Sequence, residues 1–198
     1  MSTFLFDSIV FGPVHSRRLG VSLGINLLPV TRKVCSFNCI YCECGWTPGK
    51  PGPKEKLPTR SEVRDALRKK LSGMKEQGKA PDVITYAGNG EPTLHPDFAV
   101  IIDDSLALRD EFFPAAKVSV LSNGSMLRLK SVREALKKVD QNMLKLDSAL
   151  PDTVRQINQP HVKTDLARYE EYIREFKGRF IIQTLFVRGE CDGRTVDN

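Results

Sequence analysis

Four of the chain's five cysteines fall within ten positions, in the stretch KVCSFNCIYCECGW (33–46). Three residues separate Cys35 from Cys39 and two separate Cys39 from Cys42; Cys44 follows closely, and Cys191 stands alone near the other end. Three chemistries crowd thiols in this way. A disulfide framework belongs to an oxidising compartment and to small chains with little core. Structural zinc asks for four ligands in a tetrahedron, drawn as a rule from two separated pairs. No second pair exists here, and Cys44, two residues from Cys42, reaches the same ion only under strain. Three thiolates on one tight loop can instead hold three irons of a cubic iron–sulfur cluster, which a fourth thiolate would complete and close. Phe37, Ile40 and Tyr41, set among the cysteines, would shield such a group from water.

The elements around these residues follow from hydrophobic periodicity. Val21, Leu23, Ile25 and Leu27 alternate in GVSLGINLL (20–28), which is a strand leading into the cysteine loop. The connector TPGKPGPKEKLP (47–58) is too rich in Pro, Gly and Lys for regular structure. Thr59 and Glu62 have capping-box spacing, and behind them Val63, Ala66, Leu67, Leu71 and Met74 share one helical face. Strands are then expected at 82–87, 117–122, 142–147 and 180–187, with helices over 97–113, 128–139 and 164–176. Strands alternating with helices argue for right-handed βαβ units and a parallel sheet. The last strand is expected to need a further unit to cover it, so a minimal or truncated form is the expectation for the carboxyl end.

Each unusual cluster lies just after a strand: the cysteines, Gly88–Pro92, Asn123–Gly124, and Asp147–Ser148. Loops at the carboxyl ends of parallel strands converge on one face, so four clusters distant in sequence become neighbours. In MLKLD (143–147), Lys145 and Asp147 share one face and Leu144 and Leu146 the other. The leucines would meet helices, and the charges would turn inward to pair with each other or with a polar ligand, unless the strand end is simply solvated. Gln183 is equally a core glutamine or a ligand contact. His15, His95 and His161 read as solvated or hydrogen-bonding side chains, and Arg17–Arg18 as a surface pair or a phosphate clamp.

A net charge of +6 suits RNA, an acidic electron-donor protein or an anionic small molecule, or is merely a solvated surface. No stretch is apolar enough to span a bilayer, and the amino-terminal segment lacks the order of a signal peptide, so no membrane partner and a cytoplasmic location are the expectation.

The cysteine spacing, with Tyr41 just before the third cysteine, resembles the signature loop of the radical S-adenosylmethionine (radical SAM) enzymes. GNGEP (88–92) is similar to that family's glycine-glycine-glutamate-proline segment after its second strand. GPVHSRRLGVSLGIN (12–26) and GNGEPTLHP (88–96) look like the iron–sulfur oxidoreductase branch related to enzymes that build wyosine bases in transfer RNA. The resemblance covers essentially the whole chain. It implies an α/β fold, a partial parallel (β/α) barrel of six βα units, with five present in a single domain over 1–198. It implies that Cys35, Cys39 and Cys42 each bind one iron of a [4Fe-4S] cluster whose fourth iron is chelated by S-adenosylmethionine. Reductive cleavage of that cofactor would give a 5′-deoxyadenosyl radical that abstracts hydrogen from a substrate. Gly88, Asn89 and Gly90 would approach the methionyl amine and Glu91 would help neutralise it. Ser122 and Asn123 would bind ribose or carboxylate, Lys145 the carboxylate, Asp147 or Ser148 the ribose hydroxyls, and Tyr41 would lie near the adenine. The implied electron donor is a protein such as flavodoxin or ferredoxin, and the substrate RNA or protein. The wyosine enzymes carry a further cysteine set for a second cluster; this chain has no second triad, so wyosine synthesis itself is not expected. The alternatives are an activase of a glycyl-radical partner enzyme and a non-catalytic metal- or RNA-binding module.

Overall fold

The computed structural model describes residues 4–47, 56–191 and 193–198; most of the expected irregular connector lies outside them. Six strands form one sheet in sequence order, β1 (Val10–Ser16), β2 (Gly20–Ile25), β3 (Val83–Tyr86), β4 (Lys117–Ser122), β5 (Gln141–Lys145) and β6 (Ile181–Gln183). β1 runs antiparallel to β2, and every later pair is parallel. An order without reversal sends successive right-handed crossovers the same way round, so the helices gather on one side and the sheet curls as a partial (β/α) barrel. Those helices are α1 (Arg60–Glu76), α2 (Phe98–Phe112), α3 (Lys130–Leu136), α4 (Pro151–Ile157) and α5 (Leu166–Arg174). A separate hairpin, β7 (Arg188–Cys191) and β8 (Arg194–Asp197), follows β6.

The period-two pattern sorts the two faces of the sheet. Leu23, Ile25, Ile84, Tyr86, Val118, Val120 and Leu144 are buried in one cluster with Val63, Leu67 and Leu71 of α1, Ile101 and Ile102 of α2, and Val132 and Leu136 of α3. Burying each such side chain is worth about 1.5–3 kcal/mol, which fixes the strand register. The opposite face is more polar: Ser22 and Thr85 hydroxyls bond at 2.8 Å. At β2 it is covered by the stacked rings of Phe6 and Phe11, 3.5 Å apart. A Cβ on Gly24 would lie 2.1 Å from the Phe11 ring, so glycine makes room for it. The capping box at α1 is formed as its spacing predicts: Thr59 Oγ1 accepts from Glu62 N, and Thr59 N donates to Glu62 Oε2 at 2.7 Å.

The five expected parallel strands are β2 to β6. β6 is shorter than expected, and Phe186 beyond it is exposed. Four elements lie outside the expectation. β1 lacks a clear alternation because it is an edge strand with Pro13 at a register shift between Phe11 and Val14, where a missing N–H is tolerated. α4 opens on Pro151 and has only seven residues, too few to show a helical period. β7 and β8 form from a polar stretch in which Val196 is buried. No helix among the described residues is long and apolar enough to cross a membrane.

Candidate active site

β2 delivers the chain into the cysteine loop through Asn26, whose side chain bonds to Leu28 N and O and accepts from Asn89 N. The loop is then stitched down on two sides. On one side, Val34 N donates to Asn89 O at 2.8 Å and Glu91 N donates to Val34 O at 3.1 Å. The two chains approach so closely that a Cβ on Gly90, at φ +139°, would stand 1.9 Å from Val34 O. Glycine is thus demanded there by the backbone of the cysteine loop itself. On the other side, Asn38 N donates to Asn158 O, Ile40 N to Ile157 O and His161 N to Ser36 O. Turns from Cys42 N to Cys39 O and from Gly45 N to Cys42 O fold the loop back on itself, and Lys33 Nζ reaches across to Gly45 O at 2.9 Å.

Four half-buried thiols line this loop without disulfide bonds. Cys35 Sγ accepts from Phe37 N at 3.4 Å and Asn123 Nδ2 at 3.5 Å, and Cys39 Sγ from Asn158 Nδ2 at 3.4 Å. Burial, then the Glu91 carboxylate, pushes the Cys35 thiol up to about 12. Burial also raises Cys39. A hydrogen bond from Cys44, with Lys33 beside it, lowers Cys42 to about 5, and the same bond raises Cys44. Burial thus favours the protonated thiol at Cys35 and Cys39, while the Cys44 hydrogen bond favours the thiolate at Cys42. Among the described residues no three His, Cys, Asp or Glu side chains already converge as a metal-holding group.

The residues after β3, β4 and β5 meet around this loop. Glu91 is 2% exposed, and its carboxylate accepts from Thr93 N, Thr93 Oγ1, Ser122 Oγ at 2.8 Å and Asn123 N at 2.6 Å. Burial raises its pKa although all four donors oppose the rise. Asn89 spends its amide on Phe6 N, Phe6 O and Pro29 O. Gly88 packs on Asn26, where a Cβ would lie 2.6 Å from Oδ1. Asn123 bridges Cys35 Sγ and Ser36 Oγ. Past the end of β5, Tyr41 donates its hydroxyl to Asp147 Oδ2 and accepts from Lys145 Nζ at 2.7 Å. Asp147, fully buried, accepts also from Asn158 Nδ2 at 2.6 Å and Leu185 N at 3.0 Å, and its carboxylate lies 3.6 Å from Lys145 Nζ. Burial and the Asp147 hydrogen bond raise the Tyr41 pKa and keep it a phenol. Ser148 is apart from this cluster, and its hydroxyl accepts from Leu150 N at the start of α4.

The sequence places Lys145 and Asp147 on one face and Leu144 on the other, as observed. Leu146 departs from that pattern: β5 has ended at Lys145, and Leu146 lines the same cavity as Lys145 and Asp147. That cavity, about 400 Å³, also takes in Phe37, Asn123, Asn158 and Tyr169. Lys33, Ser36, Asn158 and Tyr169 escaped sequence reasoning. Asn158 lies 119 positions from the thiol it contacts, and only the fold brings the two together. Two weaker candidates lie elsewhere. Arg17 and Arg18 sit in the β1–β2 turn, at the opposite end of the strands from the cysteine loop. His95 is spent on Pro58 O and Asp97 N.

A UPF0026 protein of Helicobacter pylori is 34% identical over 188 residues, covering 93% of this chain and 58% of that protein. A UPF0026 protein of Methanocaldococcus jannaschii is 30% identical over 184 residues, covering 91% of this chain and 54% of that protein. The chain thus spans little more than half the length of these curated relatives. The crystal structure of archaeal TYW1 matches with a TM-score of 0.47 and 16% identity, over 85% of this chain and 56% of that one. The family model of the radical SAM superfamily matches residues 30–196, and the chain belongs to that superfamily.

Proposed function

We propose that the protein binds a [4Fe-4S] cluster through Cys35, Cys39 and Cys42 and cleaves S-adenosylmethionine reductively to begin radical chemistry on a substrate. The observation that carries this reading is the docking of the cysteine loop. It bonds to the loops after β3, β4 and β5 through Val34, Cys35 and Tyr41, so whatever the thiols hold faces all three. The donor set fits such a cluster. Three thiols share one loop, N–H groups of Phe37, Asn123 and Asn158 are directed at sulfur, and the Lys33 ammonium is tied to Gly45 O of the same loop. Cys35, Cys39 and Cys42 would hold the cluster, and the chemistry it would supply there is the one-electron reductive cleavage of S-adenosylmethionine that begins hydrogen abstraction from the substrate.

The cofactor set is Tyr41, Gly88, Asn89, Gly90, Glu91, Ser122, Asn123, Lys145, Asp147 and Ser148, divided into frame and contact. Asn89, Glu91, Ser122 and Asp147 have their polar atoms engaged by neighbouring loops, and we assign them the work of holding backbone and side chains in place for the cofactor. Asn123, Lys145 and Asp147 line the open cavity, and we assign Asn123 and Lys145 direct contacts, Lys145 with the carboxylate. Phe37 in the cavity wall excludes water. The net charge of +6 favours acidic partners: an electron donor of flavodoxin or ferredoxin type, and RNA or an acidic protein segment as substrate.

Anaerobic reconstitution with iron and sulfide tests the reading. The expected result is a [4Fe-4S] spectrum that changes when S-adenosylmethionine is added, and 5′-deoxyadenosine under dithionite. A protein that takes up zinc and gives neither signal overturns it.

A further inference from the structure

Lys33 is 2% exposed, and its ammonium has no carboxylate partner among the described residues. Lys145, the other cation near the thiols, is paired with Asp147 and Tyr41. Lys33 donates to Gly45 O at 2.9 Å, and Gly45 N in turn donates to Cys42 O at 3.1 Å, so the ammonium sits inside the cysteine loop. Its positive charge acts on Cys35, Cys39, Cys42 and Cys44 alike. The anion nearest in chemistry, Glu91, acts on Cys35 but is saturated by its four donors. A buried ammonium is costly unless an opposite charge compensates it, and thiolates holding a cluster would supply that charge. A carbonyl such as Gly45 O needs only a neutral donor, so the anchor alone does not call for lysine.

We propose that Lys33 is the counter-charge of the thiolate-bound group, a positioning residue that favours its more negative, reduced state. The inference rests on the reading that Cys35, Cys39 and Cys42 hold an iron–sulfur cluster. On one-electron reduction by an external donor, the cluster and its three thiolates become one unit more negative. A fixed positive charge beside them makes that step easier and raises the midpoint potential.

Three substitutions separate charge from anchoring in the full chain. Lys33→Met removes both the charge and the donor, Lys33→Gln removes the charge and keeps a donor, and Lys33→Arg keeps both. Each protein is reconstituted, its iron and sulfide per chain are measured, and its cluster is titrated with dithionite by electron paramagnetic resonance. Far-UV circular dichroism of each apoprotein reports folding. We expect Lys33→Met and Lys33→Gln to shift the midpoint to more negative values, and Lys33→Arg to stay near the unsubstituted protein. If the uncharged variants lose the cluster instead, Lys33→Arg is expected to retain it. Full clusters with unchanged midpoints in all three overturn the proposal. So does a glutamine variant that matches arginine, which makes Lys33 an anchor, or an arginine variant that fails like methionine. If the unsubstituted protein itself takes up no cluster, the preceding functional reading fails, and this inference falls with it.

Discussion

Glu91 is the residue on which most of the site's polar geometry converges. Its two oxygens satisfy Thr93, the Ser122 hydroxyl and the Asn123 backbone N–H, all buried. Truncation to alanine leaves those donors without partners in a dry place. Glu91→Ala is expected to cost about 3 kcal/mol, read as a lower midpoint in urea unfolding. Glu91→Gln keeps an acceptor but turns an amide N–H toward existing donors, so it is expected to fall between the two. The thiols divide differently. Cys39→Ala removes a proposed iron ligand and is expected to abolish the reconstituted cluster, whereas Cys44→Ala is expected to keep iron and sulfide at the unsubstituted level. Equal loss in both would make Cys44 a ligand. The cysteine loop was legible at this scale because three thiols at fixed spacing are a local signal. Glu91 was singled out for a ligand contact, and its actual bonds to β4 were invisible because nothing local in GNGEP encodes them. Lys33 and Asn158 carry no local signal at all: a lysine beside Arg32 and an asparagine at a helix end become distinctive only when the fold buries them at the cysteine loop.

At the scale of elements, the site depends on how closely neighbouring loops can lie. Gly90 lets the loop after β3 run against Val34 as an extra parallel bridge. Gly90→Ala puts a methyl group into a backbone carbonyl and strains a positive φ, and neither can be relieved by turning a side chain. The expected cost is about 3 kcal/mol or more, with cluster uptake lost together with stability in the same preparations. Helix packing offers a milder test. Arg60 at the start of α1 makes a bidentate pair with Asp104 of α2, at 2.6 and 2.7 Å, and that bond holds the Asp104 pKa below its ordinary value. A carboxylate with a depressed folded pKa contributes stability above its unfolded pKa, and the contribution is lost as pH falls through the folded one. Asp104→Asn is therefore expected to lower stability slightly at neutral pH and to flatten the acid limb below about pH 4, compared by thermal melts across pH. Much of this layer was readable beforehand: β4 lies at the expected 117–122, and α1 starts at its capping box. Elements that draw their stability from tertiary contact were not. β1 is held by pairing to β2 across a register shift, and α4 by the cysteine loop that bonds to its last turn.

For the whole molecule, the sheet's two edges are unlike. β1 closes one side, bearing Pro13 and a register shift, and such irregularity discourages further pairing. β6 forms the other side, and among the described residues it pairs with β5 alone. Successive strand residues point to opposite faces, yet Ile181 is 45% exposed and Ile182 39%. Neither face of the last strand is therefore fully covered. Leu185 and Phe186, at 43% and 78%, extend the apolar surface beyond it. An open strand edge with unpaired backbone groups and exposed isoleucines is a template for pairing with another chain. The net charge of +6 opposes self-association through long-range repulsion, and salt screens that repulsion within about 8–10 Å. Two opposing terms give a defined expectation. The protein should associate as its concentration rises, and more so as salt is added, the reverse of an association held by ion pairs. Ile182→Lys, placing a charge on the edge strand, should restore the monomer without altering iron content after reconstitution. Light scattering coupled to size-exclusion chromatography, at low and high salt, reads both effects. A protein that stays monomeric at high concentration in high salt would show that the β6 edge is no template, and that the exposed isoleucines are tolerated surface.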